Sequence, residues 1–430
     1  MSDMRRFINL AALFFGGLVL LVTAMTYVVN PYGIFVGLGI AAINFDKTQA
    51  VWQPQLAKAY LVEKIEPRTL LIGDSRVDLG LNPESVNWKA DYKPIFNLGI
   101  PGSTLREQLR YFQHALSHYA PKTVVVGQAF EDCFVWPLSP RNSAPSANND
   151  QDKRLEGGST VSRYARFQDY VFALLSIDSL RDSIMTLINQ HKLDTAYMSS
   201  LGWRSSGDFG HSANADGYYN LVMDKDRTII NTMLDWAKSP ECDLGPLRAM
   251  IDLATGHNID IIVILTPSYI DDLEIIRQTN LLARYDAWKR ALANIIFEAG
   301  REGGNIVLWD FNRIDTYTTE LLPGRHERTY KLRWFWETKH FKVELGNEII
   351  DTLMGYGPPD FGTRLLRGNI EYEITHAHDL LAIYERNHAP DVDRIAALVS
   401  ANRENRCAQD HNTPCSIATR AATLLSEPNQ

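Results

Sequence analysis

Residues 70–76 have the sequence LLIGDSR and carry the strongest indication of the fold. An apolar run that stops at Gly73, Asp74 and Ser75 predicts a buried strand followed by a tight turn. Ser75 then lies at the carboxyl edge of the strand, where ligands bind in open α/β sheets. Gly73 permits close backbone approach, and the Asp74 carboxylate can accept hydrogen bonds from the amides of the turn. The stretch therefore predicts an exposed hydroxyl at a ligand-binding edge, and a plain Asx turn is the alternative.

The segments that follow this turn predict a parallel sheet. Short β-branched runs alternate with segments whose apolar residues recur at helical spacing. The predicted strands cover 69–72, 94–98, 123–126, 259–265 and 306–309, and the main predicted helices cover 105–116, 247–256, 281–299 and 342–353. This alternation predicts a doubly wound, three-layer α/β/α domain with a flavodoxin-like sheet.

Composition and charge argue against a broad nucleic-acid interface. The 430 residues include 43 Lys and Arg against 51 Asp and Glu, which gives a net charge of −8, and no basic run stands out. Surfaces that bind nucleic acid need clustered positive charge to displace counterions. We therefore expect no nucleic-acid partner.

The N-terminus predicts a membrane helix. Arg5 and Arg6 precede an uncharged, mainly apolar stretch at 7–29. Such a stretch can cross a hydrocarbon core of about 30 Å as a helix. Basic residues before the stretch, and none directly after it, predict a cytoplasmic N-terminus with the bulk of the chain outside. No convincing small-residue cleavage site follows, which favours an uncleaved signal anchor over a cleaved signal peptide, the alternative.

The chain is predicted to have four parts. They are the cytoplasmic N-terminus and anchor (1–30), a juxtamembrane linker (31–65), an α/β domain (66–357) and a helical C-terminal extension (358–430). Within the domain, 131–241 form a long insertion that contains a polar loop and helical apolar spacing. The insertion either covers a site at the edge of the sheet or packs against the flank of the domain.

Neither the cysteines nor the histidines predict a metal site. The four cysteines are not at zinc-type spacing. Cys407 and Cys415 lie close together and could pair in an exported compartment, and two unpaired thiols are the alternative. His376 and His378 are two residues apart, so on a helix they point to different sides. A solvated helical face explains them better than a metal does.

His340, far downstream, is the expected base for Ser75. A serine hydroxyl becomes nucleophilic when a nearby base takes its proton, and a histidine held by a carboxylate is the usual base. Glu337 precedes His340 by three residues, so its carboxylate can reach Nδ1 of the imidazole while Nε2 faces the serine. The alternative is a histidine that is merely packed among the neighbouring aromatic residues. The expected catalytic residues are Ser75, His340 and Glu337.

An acyl-transfer site also needs amide donors aimed at the developing oxyanion. The amide of Ser75 points into the expected cleft, and Gly102 can offer a second amide from the loop after the next strand. The alternative is that Gly102 only shapes a turn with Pro101.

These motifs resemble those of the SGNH hydrolase superfamily, also called GDSL. The matching blocks are Gly-Asp-Ser at 73–75, NLGIPG at 97–102 and Glu-x-x-His at 337–340. The resemblance covers roughly residues 66–355, with gaps. It implies that Ser75 is the nucleophile, that the Gly102 amide binds the oxyanion, and that Glu337 and His340 form the Asp-x-x-His block. The stretch GDSRVDLGLNP at 73–83 is also similar to membrane-anchored envelope members related to alginate O-acetylation proteins.

Two departures from the family pattern bear on activity. The third block of the family, Gly-x-Asn-Asp, falls at 127–130, where this chain has GQAF. The asparagine that supplies an oxyanion donor is absent, and Gln128 is the expected substitute. The acid of the triad is Glu337 rather than an aspartate, so its carboxylate lies one methylene further from the backbone.

The resemblance implies a bacterial inner-membrane protein with one span, an N-terminus in the cytoplasm and its bulk in the periplasm. Its implied activity is O-acyl transfer, chiefly of acetyl, or ester hydrolysis on an envelope polysaccharide. The implied partners are that glycan, an acyl donor and other polysaccharide-export proteins, and no metal or organic cofactor is required. Arg76 and Trp336 are candidate substrate-binding residues. The two departures favour the alternative, which is a catalytically inactive glycan-binding or assembly subunit of an envelope polysaccharide complex.

Overall fold

A single six-stranded sheet organises the computed structural model, which describes residues 2–35, 39–40, 43–134, 152–157, 163–238 and 242–409. The strands are β1 (Thr69–Gly73), β2 (Ile95–Gly99), β3 (Thr123–Gln128), β4 (Asp260–Leu265), β5 (Ile306–Asp310) and β6 (Thr363–Leu365). Their spatial order is β2-β1-β3-β4-β5-β6. The first five strands are parallel, and β6 pairs antiparallel with β5. The prediction of an α/β fold with a mainly parallel sheet is confirmed.

Helices cover both faces of the sheet. The helices are α1 (Ser2–Val29), α2 (Pro54–Val62), α3 (Ser75–Gly80), α4 (Leu105–His118), α5 (Arg163–Leu175), α6 (Ile177–Ile188), α7 (Gly207–Asp216), α8 (Tyr218–Trp236), α9 (Gly245–Gly256), α10 (Ile270–Gln278), α11 (Leu282–Arg301), α12 (Val343–Met354), α13 (Ile370–Asn387) and α14 (Ala389–Gln409). Short 3-10 turns lie at Ala50–Trp52, Ala90–Tyr92, Phe130–Cys133 and Asp152–Arg154.

Alternation along the strands divides the core into two layers. Leu70 and Ile72 of β1 join a cluster that includes residues of α2, α4, α9 and α11. Leu71, between them, belongs to a second cluster with residues of α3 and α12. Successive side chains of a strand point to opposite faces, so β1 is buried on both sides. A three-layer arrangement follows, with all five residues of β1 buried.

The segment 31–65, expected to be a linker, is part of the folded domain instead. Tyr32, Ile34, Leu56 and Tyr60 are buried members of the first cluster. A short turn and α2 interrupt this segment, and the apolar face of α2 packs under β2 and α4. The apolar residues that suggested a stretch beside the membrane therefore contribute to the core.

The C-terminal extension also departs from its expected form. It was expected to be helical, and α13 and α14 are helices, but β6 precedes them and extends the sheet. The extension is thus attached to the domain by the pairing of β6 with β5, which makes β6 the edge strand. Strand β6 is only three residues long, which is too short for a recognisable alternating pattern.

The N-terminal helix α1 is long and apolar enough to span a membrane. The most apolar stretch of 18 residues within Asp3–Val29 has a mean hydropathy of 2.3, and this stretch is not buried against the protein. The run of apolar residues, rather than packing, therefore accounts for this helix.

A disulfide joins Cys133 to Cys242, across 109 residues of sequence. It connects the end of β3 to the segment before α9, and so it closes the long insertion at its base. The proposed pairing of Cys407 with Cys415 falls partly outside the described residues, because Cys415 lies beyond residue 409.

Candidate active site

The nucleophile position is built by the turn between β1 and α3. Asp74 is the N-cap of α3, and its side chain accepts a hydrogen bond of 2.8 Å from the amide of Arg76. This cap stops the strand and starts the helix within one residue. Ser75 is consequently the first residue of α3, at the carboxyl edge of the sheet, as its place after the apolar run predicts.

The base comes from the loop before α12. His340 Nε2 lies 2.7 Å from Ser75 Oγ, and His340 Nδ1 is in hydrogen-bond contact with Glu337 Oε1. Glu337 also accepts bonds of 3.1 Å from the amides of Lys339 and His340, which curls the loop around its carboxylate. The structure thus brings together three residues that span 265 positions of sequence.

The electrostatics of this loop fix the tautomer of the histidine. Burial opposes ionisation of Glu337, but the neighbouring His340 and the hydrogen bond to it outweigh burial and lower the Glu337 pKa to about 2. An ionised Glu337 requires a proton on Nδ1 of His340, which leaves Nε2 free to accept the proton of Ser75. The longer side chain of glutamate is accommodated because the loop folds back over it.

Two residues whose backbone amides could bind an oxyanion line the space beside Ser75. Ser75 and Gly102 line the same cavity, of about 260 Å³, together with His340. Within the described part of the chain, neither amide donates to another protein group. Gly102 has a φ of +69°, and a Cβ there would meet open space, so the backbone angle rather than crowding favours glycine.

The structure does not bring Gln128 into this cavity. Gln128 is only 1 % exposed, and its Nε2 donates to Gly127 O at 2.9 Å and, over 3.4 Å, to Gln108 Oε1. The side chain therefore lies beneath the edge of the sheet. The expectation that Gln128 replaces the missing asparagine donor is not met by this geometry, because its amide is already bonded within the core.

Arg76, expected to contact substrate, is instead held by protein carboxylates. It is 3 % exposed, and its guanidinium donates to Asp74 at 2.7 Å and to Glu131 at 2.9 Å. Lys339 contacts Glu131 as well and lies 2.5 Å from Asp272. Arg76 borders the cavity, but its charge is compensated by this network and it acts on the turn around Ser75.

Trp336 lies away from the cavity that contains Ser75. Its ring stacks on Tyr218 and lies near Phe209, and it borders a second cavity of about 690 Å³ with Tyr197 and Trp203. Phe209 also contacts the ring of His340, with 5.4 Å between ring centres. The Phe209 ring thus contacts the rings of both Trp336 and His340, and the Trp336 amide donates to His340 O at 2.9 Å.

The insertion supplies one wall of the Ser75 cavity. Helix α8 contributes Lys225, Ile229, Thr232 and Met233 to the lining. The Lys225 ammonium is half-exposed and lies 4.0 Å from Glu337 Oε1. The insertion therefore does reach the candidate site. No sequence signal singles out Lys225, because it stands in an ordinary amphipathic helix.

Remote residues hold the base loop in place. Thr338 donates to Asp226 of α8 at 2.5 Å, and the amide of Tyr269 donates to Thr338 O at 2.9 Å. Asp226 also faces Arg394 of α14, which binds Asp271 at 2.7 Å. These side chains were not expected from the sequence, since they come from three separate helices.

One group of side chains has the composition of a metal site. Ligand atoms of Glu63, His114 and His118 lie within 4.8 Å of one another. Both nitrogens of His114 are already used, because Nδ1 accepts from the Glu156 amide at 2.9 Å and Nε2 lies 2.9 Å from Ala59 O. Hydrogen bonding explains this cluster, and none of its members lines the Ser75 cavity.

No known protein family, curated protein or solved structure gave a match to this chain.

Proposed function

We propose that this chain is a membrane-anchored serine acyltransferase or esterase of the SGNH type that acts on an envelope glycan. The observation that carries the proposal is the hydrogen-bonded chain from Ser75 through His340 to Glu337, at the ligand-binding edge of an α/β sheet. A serine and a histidine that were merely packed would not need a buried carboxylate on the far nitrogen of the ring. The cavity beside Ser75 has polar and apolar lining side chains, among them Thr104, Ile229 and Met233, so it can hold an acyl group.

The chemistry would proceed in two half-reactions. His340 Nε2 takes the proton of Ser75 as Oγ attacks the acyl carbonyl, and the amides of Ser75 and Gly102 bind the oxyanion. The intermediate collapses, and the leaving group departs with the proton from His340. A sugar hydroxyl or water then gives its proton to His340 and attacks the acyl-enzyme, which releases the acylated sugar or the free acid and restores Ser75.

An oxyanion site with two backbone donors, from Ser75 and Gly102, favours the alternative function. Gln128 does not reach the cavity, so the missing asparagine is not replaced from that position. Loss of one such donor costs on the order of 10²-fold in rate. The alternative is an inactive subunit that binds glycan or helps to assemble an envelope polysaccharide complex.

Labelling of the full-length protein with a fluorophosphonate probe tests these functions against each other. We expect covalent labelling that disappears in Ser75→Ala. Ser103→Ala is the matched control, because Ser103 lines the same cavity but its hydroxyl is bonded to Gly73 O. A folded wild-type protein that takes no label, with unchanged glycan in Ser75→Ala cells, would support the inactive subunit. Labelling without hydrolysis of simple acetyl esters would favour transfer, since water is then excluded from the acyl-enzyme.

The proposed location is the bacterial inner membrane, with the domain in the periplasm. It is supported by Arg5 and Arg6, the two basic residues in α1 that precede its apolar stretch. A reporter that is active only in the cytoplasm, fused after residue 430, is expected to give no signal. Strong signal from this fusion would show that the domain lies in the cytoplasm, which would exclude an envelope glycan as its substrate.

A further inference from the structure

The helical hairpin of α5 and α6 has its apolar surface on the outside. Along α5, large apolar side chains recur every three or four residues and are exposed: Tyr164, Phe167, Val171 and Leu175. Helix α6 continues this surface with Ile177, Ile184, Leu187 and Ile188, of which Ile177 is 86 % exposed, and the charged residues Asp178 and Arg181 are exposed among them. So many large exposed apolar side chains on one surface are unusual where that surface faces only water.

The fully buried positions of the same hairpin hold small and polar residues. Ala165, Asp169 and Ala173 are buried on α5, and Ser179, Ser183 and Thr186 are buried on α6. The hydroxyls of Ser179 and Ser183 are satisfied by backbone carbonyls within the hairpin. Tyr170 and Phe172 are the large side chains that pack, partly buried, against the core of the domain. At its fully buried and most exposed positions, the hairpin therefore inverts the normal amphipathic pattern of a soluble helix. Small residues at helix contacts, with large apolar residues outside, are typical of helices whose surroundings are lipid.

The hairpin is attached to the helix that can span the membrane. Thr26, near the end of α1, donates 2.8 Å to the carbonyl of Leu174, at the corner between α5 and α6. Tyr32, just after α1, stacks on Phe172 and donates to Asp182 at 2.7 Å, further from the corner. Going back along α1 toward its N-terminus thus leads toward the corner of the hairpin. The corner points in the direction of the membrane, and the open end points toward the domain.

The far end of the hairpin is fixed to the sheet domain. Asp169 accepts from Tyr60 of α2 at 2.9 Å and pairs with Arg154. Arg166 bridges Glu63 and Glu156. Because both attachments are buried or partly buried, the hairpin is a rigid projection of the domain beside α1.

We propose that the corner of the α5–α6 hairpin, with its exposed residues Leu175 and Ile177, enters the outer surface of the membrane that α1 spans. The apolar run of α1 ends at Val29, so the contact at Thr26 lies at the level of the hydrocarbon boundary. Each helix of the hairpin is about 20 Å long at 1.5 Å per residue and runs from this corner toward the domain, so its open end lies outside the hydrocarbon core. Lipid is the occupant that the continuity with α1 favours. The proposal rests on α1 spanning a membrane and is independent of the catalytic role of Ser75.

Nitroxide accessibility in the full-length protein, reconstituted in phospholipid vesicles, tests this proposal. Spin labels are placed at Leu175→Cys and Ile177→Cys, in a background where Cys407 and Cys415 are serine and the Cys133–Cys242 disulfide is kept. Ile383→Cys is the matched control, because Ile383 is an apolar residue of α13 that is 44 % exposed, close to the 49 % of Leu175. Collisions with oxygen, which concentrates in lipid, are compared with collisions with a water-soluble nickel chelate.

We expect the ratio of oxygen to nickel collisions to be several-fold higher at positions 175 and 177 than at 383. Equal ratios at all three positions would overturn the proposal, because the hairpin would then face water. Labels shielded from both reagents, with dipolar broadening, would also overturn it and would identify a second copy of the chain as the occupant. Shielding without broadening would indicate a different protein. The same ratios in a Ser75→Ala background would show that the surface does not depend on catalysis.

Discussion

The loops that carry Ser75 and His340 meet at 2.7 Å, yet they are held in different ways. The Ser75 turn is shaped largely by its sequence neighbours, with Asp74 as the cap of α3. The His340 loop depends on distant residues, because Thr338 is bonded to Asp226 and the loop backbone is bonded to Tyr269. A short sequence can thus position the candidate nucleophile, whereas the position of the candidate base depends on several helices at once.

The largest effect is expected from removing the His340 side chain, which joins the two loops through its hydrogen bond to Ser75. In His340→Ala, Ser75 keeps its turn but loses the base, so the rate of fluorophosphonate labelling should fall by about 10⁴-fold or more. The rate is measured on the purified full-length protein. His378→Ala is the control, since His378 lies on α13 and pairs with Asp286. Labelling of His340→Ala at close to the wild-type rate would show that Ser75 is not activated by this histidine.

The second-largest effect tests whether the Ser75 turn depends only on its neighbours in sequence. Lys58 of α2 lies 2.5 Å from Asp78 of α3 and 2.5 Å from Gly99 O, with the side chains of Lys58 and Asp78 fully buried. In Lys58→Met the Asp78 carboxylate would remain buried without its partner, which costs about 3–5 kcal/mol in the free energy of unfolding. Chemical unfolding in detergent micelles measures this loss.

The double variant Lys58→Met with Asp78→Leu removes both charges of this pair. It should recover much of the lost stability, because apolar replacement of a complete buried pair is close to neutral. If the double variant is no more stable than the single one, Lys58 matters through its bond to Gly99 O rather than through Asp78.

A pH-dependent effect of about 3 kcal/mol is expected from Glu337, because its pKa falls from the ordinary value of 4.5 to about 2 in the folded chain. An acid with a lowered pKa stabilises the fold fully above its unfolded value, and the gain is lost as pH falls from 4.5 towards 2. Glu337→Gln should therefore be less stable than wild type at neutral pH, and the difference should shrink on acidification. Unfolding curves at several pH values measure it, with the exposed Glu344→Gln as control. A difference that does not change with pH would mean that ionisation of Glu337 contributes nothing.

The strand ending in Gly-Asp-Ser and the three-residue spacing of Glu337 and His340 are local patterns, so both short segments could be identified from the sequence alone. The contact of Lys225 with the cavity and the pairing of Cys133 with Cys242 depend on how the insertion folds back. No short-range pattern carries that information. The burial of residues within 31–65 could not be predicted for a related reason, because apolar residues beside a membrane helix are also typical of a membrane-proximal linker.

A smaller effect is expected where the His340 loop is supported from the C-terminal extension. Arg394 reaches both Asp226 and Asp271, and Asp226 holds Thr338. Arg394→Lys keeps the charge but loses the planar fork that serves two carboxylates, so we expect a loss of about 1–2 kcal/mol in stability. A drop of several-fold in the labelling rate should accompany it, because the base loop is less well positioned.

Arg406→Lys is the matched control on the same helix, since Arg406 pairs with Asp235 at the surface of the protein. If both arginine variants change the labelling rate equally, α14 acts on the site only through general stability.

The smallest effect on rate is expected at Gln128, and it distinguishes a core residue from an oxyanion donor. Its amide nitrogen is bonded to Gly127 O and Gln108, and its side chain does not line the cavity. Gln128→Met keeps the volume of the side chain, so the folded protein should label within about threefold of the wild-type rate, whereas loss of a true donor costs about 10²–10³-fold. Gly102→Ala provides the contrast, because a side chain at a φ of +69° strains the loop that presents the second amide. A large loss of rate in folded Gln128→Met would show that the glutamine turns toward the substrate during the reaction. Gln128 would then supply the oxyanion donor that an asparagine supplies in the SGNH family.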